Sequence, residues 1–72
     1  MELNALKTCI GENVRYYREL KQMCQIKLAH RSDVSETYIS ELENGKANPC
    51  IDTLNKIANA LEVEVEDLCR KR

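Results

Sequence analysis

Glycine and proline are scarce in this chain, two and one among 72 residues. So few breakers among many Leu, Ile, Ala, Glu and Lys favour an all-helical chain. No apolar run approaches the roughly 20 residues needed to span a bilayer, and no signal-peptide pattern opens the sequence. The expectation is therefore a chain without a membrane partner, working in the cytoplasm. Four cysteines, Cys9, Cys24, Cys50 and Cys69, form no C-x-x-C pair and are accompanied by one histidine. A structural zinc needs four well-spaced ligands, so neither a metal site nor another cofactor is expected. The even cysteine count admits disulfides, but the loop-rich, secreted character that accompanies them is missing, and reduced thiols are the better reading. There is also no paired acid–base constellation and no glycine-rich phosphate loop, which leaves an enzyme almost without support. The length allows one domain over residues 1–72, with a core only just large enough to fold alone.

The net charge of −1 hides an asymmetry. Through residue 31 six bases stand against three acids, whereas from Ser32 onward nine acids face five bases. Nucleic-acid-binding domains are usually more basic than this, so composition alone does not suggest such a partner.

Periodicity is more informative. Leu6, Ile10, Val14, Tyr17 and Leu20 fall on one helical face, predicting a helix from about Asn4, a candidate N-cap, to Lys21. Gly11 lies inside it and is expected to weaken its first turns. A short second helix runs from Gln25 to about Arg31. Ser32, Asp33 and Val34 make a turn, and Ser35 is a good N-cap for a third helix ending at Asn44-Gly45. Its inward residues are Ile39 and Leu42. After a loop stopped by Pro49, Ile51, Leu54, Ile57, Ala58 and Leu61 give a fourth stripe. A last short helix from Val65 to Arg70 buries Leu68.

In this frame the segment QIKLAHRSDVSETYISELENGK, Gln25 to Lys46, resembles the Cro/repressor-type helix-turn-helix proteins of the Xre family. The resemblance rests on Gln25, Leu28-Ala29, Val34-Ser35, Tyr38-Ile39-Ser40 and Glu43-Asn44-Gly45, followed by Lys46, Pro49 and Ala60-Leu61. It extends from about Ile10 to Leu68, with the motif itself at about 25–45. It implies an all-α, compact five-helix, lambda-repressor-like domain whose third helix enters the major groove of double-stranded DNA. The spacing has a physical reason. Two helices crossing at a steep angle need a small residue at the contact, Ala29, while Leu28, Val34, Ile39 and Leu42 fill the wedge beneath. Four positions depart from the family pattern: Asp33 at a usual glycine, Ser32 at an apolar position, Ile26 at a polar one, and Glu62 where glycine often follows the fourth helix. Together they imply a less stable domain than a consensus sequence would give.

The resemblance also assigns roles. Gln25, at a helix N-terminus, is expected to bind a phosphate, with Tyr38, Asn44 and Lys46 as further backbone contacts. For Tyr38 a half-buried packing role is an equal alternative. Base readers belong on the exposed face of the third helix: Glu36, Thr37, Ser40 and Glu41. Glutamate accepts from cytosine N4 and threonine offers a methyl to thymine. The alternative for the two glutamates is a solvated acidic face that repels phosphate. Arg18 and Glu43 are expected to form a structural ion pair locking the first helix to the end of the third. Arg15, Lys21 and Lys27 read as solvated charges, with a place near the phosphate backbone as the alternative for Lys27, and His30 reads as exposed and uninvolved. Cys24 and Cys50 fall at N-cap positions, where a small residue is tolerated and a thiol becomes more reactive.

The function implied is a sequence-specific transcriptional regulator, a homodimer on a palindromic operator. Leu61, Val63, Val65 and Leu68 are the expected dimer interface, because they place more apolar side chains near the C-terminus than five small helices can easily bury. The alternative is a protein-interaction module, as in antitoxin subunits of similar fold, which the acidic second half supports.

Overall fold

The computed structural model describes residues 2–71. Five α-helices follow one another: α1 (Leu3–Leu20), α2 (Gln25–Ser32), α3 (Glu36–Glu43), α4 (Ile51–Leu61) and α5 (Val65–Cys69). The all-α, five-helix architecture read from the sequence is therefore present. α2 packs against α3 and α4, while α1 lies across α3 and α5. The core is one cluster that includes Ile10, Val14, Leu28, Ile39, Leu42, Leu54, Ile57, Leu61 and Leu68.

The ends of the stripes outrun this core. Leu20 is 65% exposed and Ile51 72% exposed, because each sits at a helix terminus beyond the packed layer. α1 also begins ahead of Asn4. The Glu2 carbonyl accepts from the Leu6 amide at 3.0 Å, which makes Glu2 the N-cap and leaves Asn4 inside the first turn. Nor does Gly11 interrupt the helix. A Cβ built there would stand 2.4 Å from the Leu42 carbonyl oxygen and 2.8 Å from that of Glu43. Gly11 is the point where the end of α3 rests on the backbone of α1.

The expected dimer surface needs correction. Leu61 and Leu68 are 0% exposed within a single chain, so neither can meet a second subunit. Val63 and Val65 are half-buried and pack against the same core. The apparent surplus of apolar side chains is taken up by α5 folding back over α1. Asn13 enforces that return: it is 2% exposed, and its Nδ2 donates to the carbonyls of Leu68 (2.8 Å) and Arg70 (2.7 Å). α5 has its own start signal, a reciprocal cap in which the Glu64 amide donates to Asp67 Oδ2 at 3.0 Å.

α2 and α4 end alike, each on a left-handed residue. Asp33 has φ 59° and Glu62 φ 62°, with the Val34 amide bonded back to Ala29 O (3.0 Å) and the Val63 amide to Ala58 O (2.9 Å). This closure suits glycine, since any Cβ crowds the following carbonyl. Lys21, read as solvated, instead pairs with the Glu62 carboxylate. That contact, together with the Lys21 charge, holds the Glu62 carboxyl below its ordinary range. Glu62→Gly gives up an exposed pair but removes backbone strain. It should raise the thermal midpoint by a few degrees, measurable by calorimetry; a lower midpoint would mean that the pair outweighs the strain.

Candidate nucleic-acid interface

The interface is built from the turn outward. Ala29 is buried where α2 meets its neighbours, and Leu28, Ile39 and Leu42 fill the wedge with Val34 half-buried beside them. Ser32, the last residue of α2, is only 1% exposed, and its hydroxyl bonds to no group among the described residues. Ser35 then caps α3, its Oγ accepting from the Tyr38 amide at 3.0 Å. With Ile39, Leu42 and Glu43 turned inward, the opposite face of the eight-residue helix carries Glu36, Thr37 and Glu41 exposed and Ser40 half-buried. These four side chains and Gln25 line one shallow depression of about 270 Å³. The structure thus brings together all four expected base readers and one expected phosphate ligand.

The remaining expected contacts stand at the two ends of α3. Asn44 is its exposed C-cap, and its Nδ2 donates to Ser40 O at 2.9 Å. Gly45 follows with φ 74°, and Lys46 is exposed. Tyr38 is half-buried against the core. Burial pushes its phenol up, the nearby Cys50 thiol adds to this, and a hydrogen bond with Thr53 pulls the other way. Its hydroxyl therefore sits beside the start of α4.

Behind the face lies Glu43, whose side chain is 0% exposed. Arg18 Nε donates to its Oε2 at 2.6 Å and Arg18 Nη2 to its Oε1 at 3.1 Å, a bidentate fork. Gln25 Nε2 donates to Oε1 at 3.0 Å, and Arg15 Nε reaches the same oxygen at 3.4 Å. Arg18 Nη1 also donates to Met23 O at 2.7 Å, fixing the bend between α1 and α2. Burial alone would push the Glu43 carboxyl up. The hydrogen bonds from Arg18 and Gln25 and the Arg18 charge outweigh it, and the carboxyl lies below its ordinary range. The bond to Glu43 likewise raises the Arg18 guanidinium. One carboxylate therefore joins α1, α2 and α3, and its charge is withdrawn from the surface.

Two residue roles change in consequence. Arg15 is not simply solvated, although its side chain remains 47% exposed, because it completes the Glu43 cluster. Gln25 has one amide proton on Glu43, so it is held in place while its second proton and its carbonyl oxygen remain available. A signal for Arg15 was present in the sequence: Gly11, Arg15 and Arg18 fall at steps of four and three, on one face of α1. Lys27 and His30 are exposed, as read. Cys24 and Cys50 occupy the N-caps of α2 and α4, both exposed. Cys50 Sγ lies 3.2 Å from Thr53 Oγ1, and this bond draws its thiol below the usual range. Among the described residues, no group of three or more His, Cys, Asp or Glu is placed to hold a metal ion. No described helix is long and apolar enough to cross a membrane.

Comparison with known proteins places the fold in a family. The chain is 41% identical to control protein C.BamHI of Bacillus amyloliquefaciens over 66 residues, covering 90% of this chain and 82% of the relative. It is 40% identical over 60 residues to the transcriptional regulator SlrR of Bacillus subtilis, there covering 82% of this chain and 40% of that protein. The crystal structure of the restriction-modification controller protein C.AhdI from Aeromonas hydrophila superposes with a TM-score of 0.85 at 30% identity, covering 89% of this chain and 97% of that one. The helix-turn-helix family model HTH_3 matches residues 14–68. The chain therefore belongs to the Xre-type helix-turn-helix family, and it is a DNA-binding regulator of transcription, not an enzyme.

Proposed function

We propose that this regulator acts in the cytoplasm as a single DNA-binding domain, pairing as a homodimer on a palindromic operator with α3 of each copy in the major groove. The observation that carries the reading is the joint placement of Glu36, Thr37, Ser40 and Glu41 with Gln25 around one depression, braced from behind by Glu43. Groove edges are read by such short polar side chains, and phosphates are held by groups at helix ends. Gln25, Tyr38, Asn44 and Lys46 supply the phosphate contacts. Eight residues of α3 make too few contacts for tight binding by one copy, and a two-fold pair places two such helices about 34–36 Å apart. Of the four residues first expected at the pairing surface, Val63 and Val65 keep accessible area. The likeness to C.BamHI and C.AhdI favours a controller-protein role over other regulators of the family.

Selection of bound sequences from a random DNA pool tests the proposal, with sedimentation of the protein alone and on the selected duplex. The expected result is an inverted repeat bound by two copies. Recovery of no preferred sequence would favour a module that requires a protein partner, and a single copy on DNA at every concentration would refute the dimer.

Because Glu43 is buried and neutralised, Glu36 and Glu41 are left as the acids on the reading face of α3. Affinity for unrelated DNA should be weak and salt-sensitive, set by the few phosphate contacts. If Glu36 accepts from cytosine N4, Glu36→Gln shifts the preferred base at one position towards adenine, by about 1–3 kcal/mol of discrimination. A uniform gain on all sequences would instead mark Glu36 as a repelling charge. Titrating operator and scrambled duplexes at one salt concentration separates the two.

A further inference from the structure

We propose that Cys9 and Cys69 form a reversible disulfide that latches the first helix to the last. The two residues are 60 positions apart, and Cys9 Sγ lies 3.7 Å from the Cys69 carbonyl oxygen and 3.5 Å from that of Arg70. A carbonyl oxygen is about 2.4 Å from its own Cα, so the Cys9 sulfur is within about 6 Å of the Cys69 Cα. Asn13, one turn along α1 from Cys9, holds the end of α5 in this register through the Leu68 and Arg70 carbonyls. The same Nδ2 is 3.6 Å from Cys9 Sγ. α5 is only five residues long and gives way at Arg70 to extended backbone. Side-chain rotation and a small shift of this segment close the remaining distance to bonding geometry.

Both thiols are half-buried, whereas Cys24 and Cys50 are exposed at helix starts. Burial pushes the Cys69 thiol up, and the neighbouring Cys9 sulfur adds to the effect. In a reducing compartment the pair stays uncrosslinked, and it crosslinks when an oxidant arrives. A hydroperoxide supplies the oxidation. One thiolate attacks the O–O bond, giving a sulfenic acid and releasing an alcohol, or water in the case of hydrogen peroxide. The second thiol then attacks that sulfur, the S–S bond forms and water leaves. A small dithiol reverses the bond by exchange. The latch does not bear on the DNA-binding face directly. Residues 9 and 13 of α1 point towards α5, while 11, 15 and 18 point towards the end of α3.

The test uses the full chain carrying Cys24→Ser and Cys50→Ser, which leaves only the pair. Treatment with hydrogen peroxide should give a monomer lighter by the mass of two hydrogens with no free thiol. Its thermal midpoint should rise by about 10 °C or more, because the bond closes a long loop, and dithiothreitol should reverse the shift. Adding Cys9→Ser or Cys69→Ser should abolish it. Added oxygen mass without crosslinking, a crosslinked dimer, or an unchanged midpoint would overturn the proposal. Should a serine variant fail to fold, peptide mapping of the oxidised natural chain decides, and any pairing other than Cys9 with Cys69 counts against it.

Discussion

Arg18→Ala should lower the thermal midpoint by more than about 12 °C and leave operator preference unchanged. The guanidinium is the principal partner of a carboxylate that has no contact with solvent, and its side chain is itself only 11% exposed. Removing one member of a buried pair strands the other, at a cost of about 3–5 kcal/mol. In a domain of this size each kcal/mol moves the midpoint by about 4–8 °C. Arg15 and Gln25 remain near Glu43 and soften the loss, so the lower end of the range is expected. The same carboxylate sets an acid limit. Its folded-state pKa lies below the ordinary value of 4.5, so the stability it contributes is complete above that value and disappears as pH falls through the folded pKa. In Glu43→Gln this component of the acid transition should vanish. A chain with Arg18→Ala that melts like the parent yet fails to bind DNA would make Arg18 a contact residue instead.

Gly11→Ala should destabilise the protein and weaken operator binding, although helix propensity alone predicts a gain of about 1 kcal/mol. The added methyl would meet two backbone carbonyls at the end of α3, and backbone cannot swing aside as a flexible side chain does. Either α1 and α3 separate, which opens the core around Ile10 and Leu42, or the end of α3 tilts and carries Asn44 and Lys46 with it. Overpacking of this kind costs typically 1–3 kcal/mol. Denaturant unfolding and a DNA titration on the one variant measure both effects. A midpoint above that of the parent would show that the contact at Gly11 relaxes freely.

The two predictions differ in how far the sequence alone could have reached them. The Arg18–Glu43 pairing was legible through family resemblance, since both residues stand at its motif positions. Gly11 was not. A glycine within an amphipathic stripe looks the same whether it is a weak point or a contact, and only the path of α3 across α1 distinguishes them. Asn13 is similar: a polar residue beside Val14 reads as surface until α5 returns and presents two carbonyls to it.

Local chemistry determined the helices themselves. The 3.6-residue stripes, the Ser35 cap, the turn at Asp33 and the small Ala29 act over a few neighbouring residues, so the sequence suffices to place α2, α3 and the polar face between them. Periodicity continues past the point where a partner surface stops, so the stripe ends Leu20 and Ile51 lie exposed. The fate of Leu61 and Leu68 was decided only by tertiary structure. Whether an apolar side chain is covered by its own chain or by another depends on which helices return to cover it, and that depends on contacts between residues some 55 positions apart, such as Asn13 with Leu68. The burial of Glu43 has the same origin: its donors are Arg15 and Arg18, one turn apart on α1, and Gln25 at the start of α2, and only their convergence turns a surface acid into a neutralised internal brace.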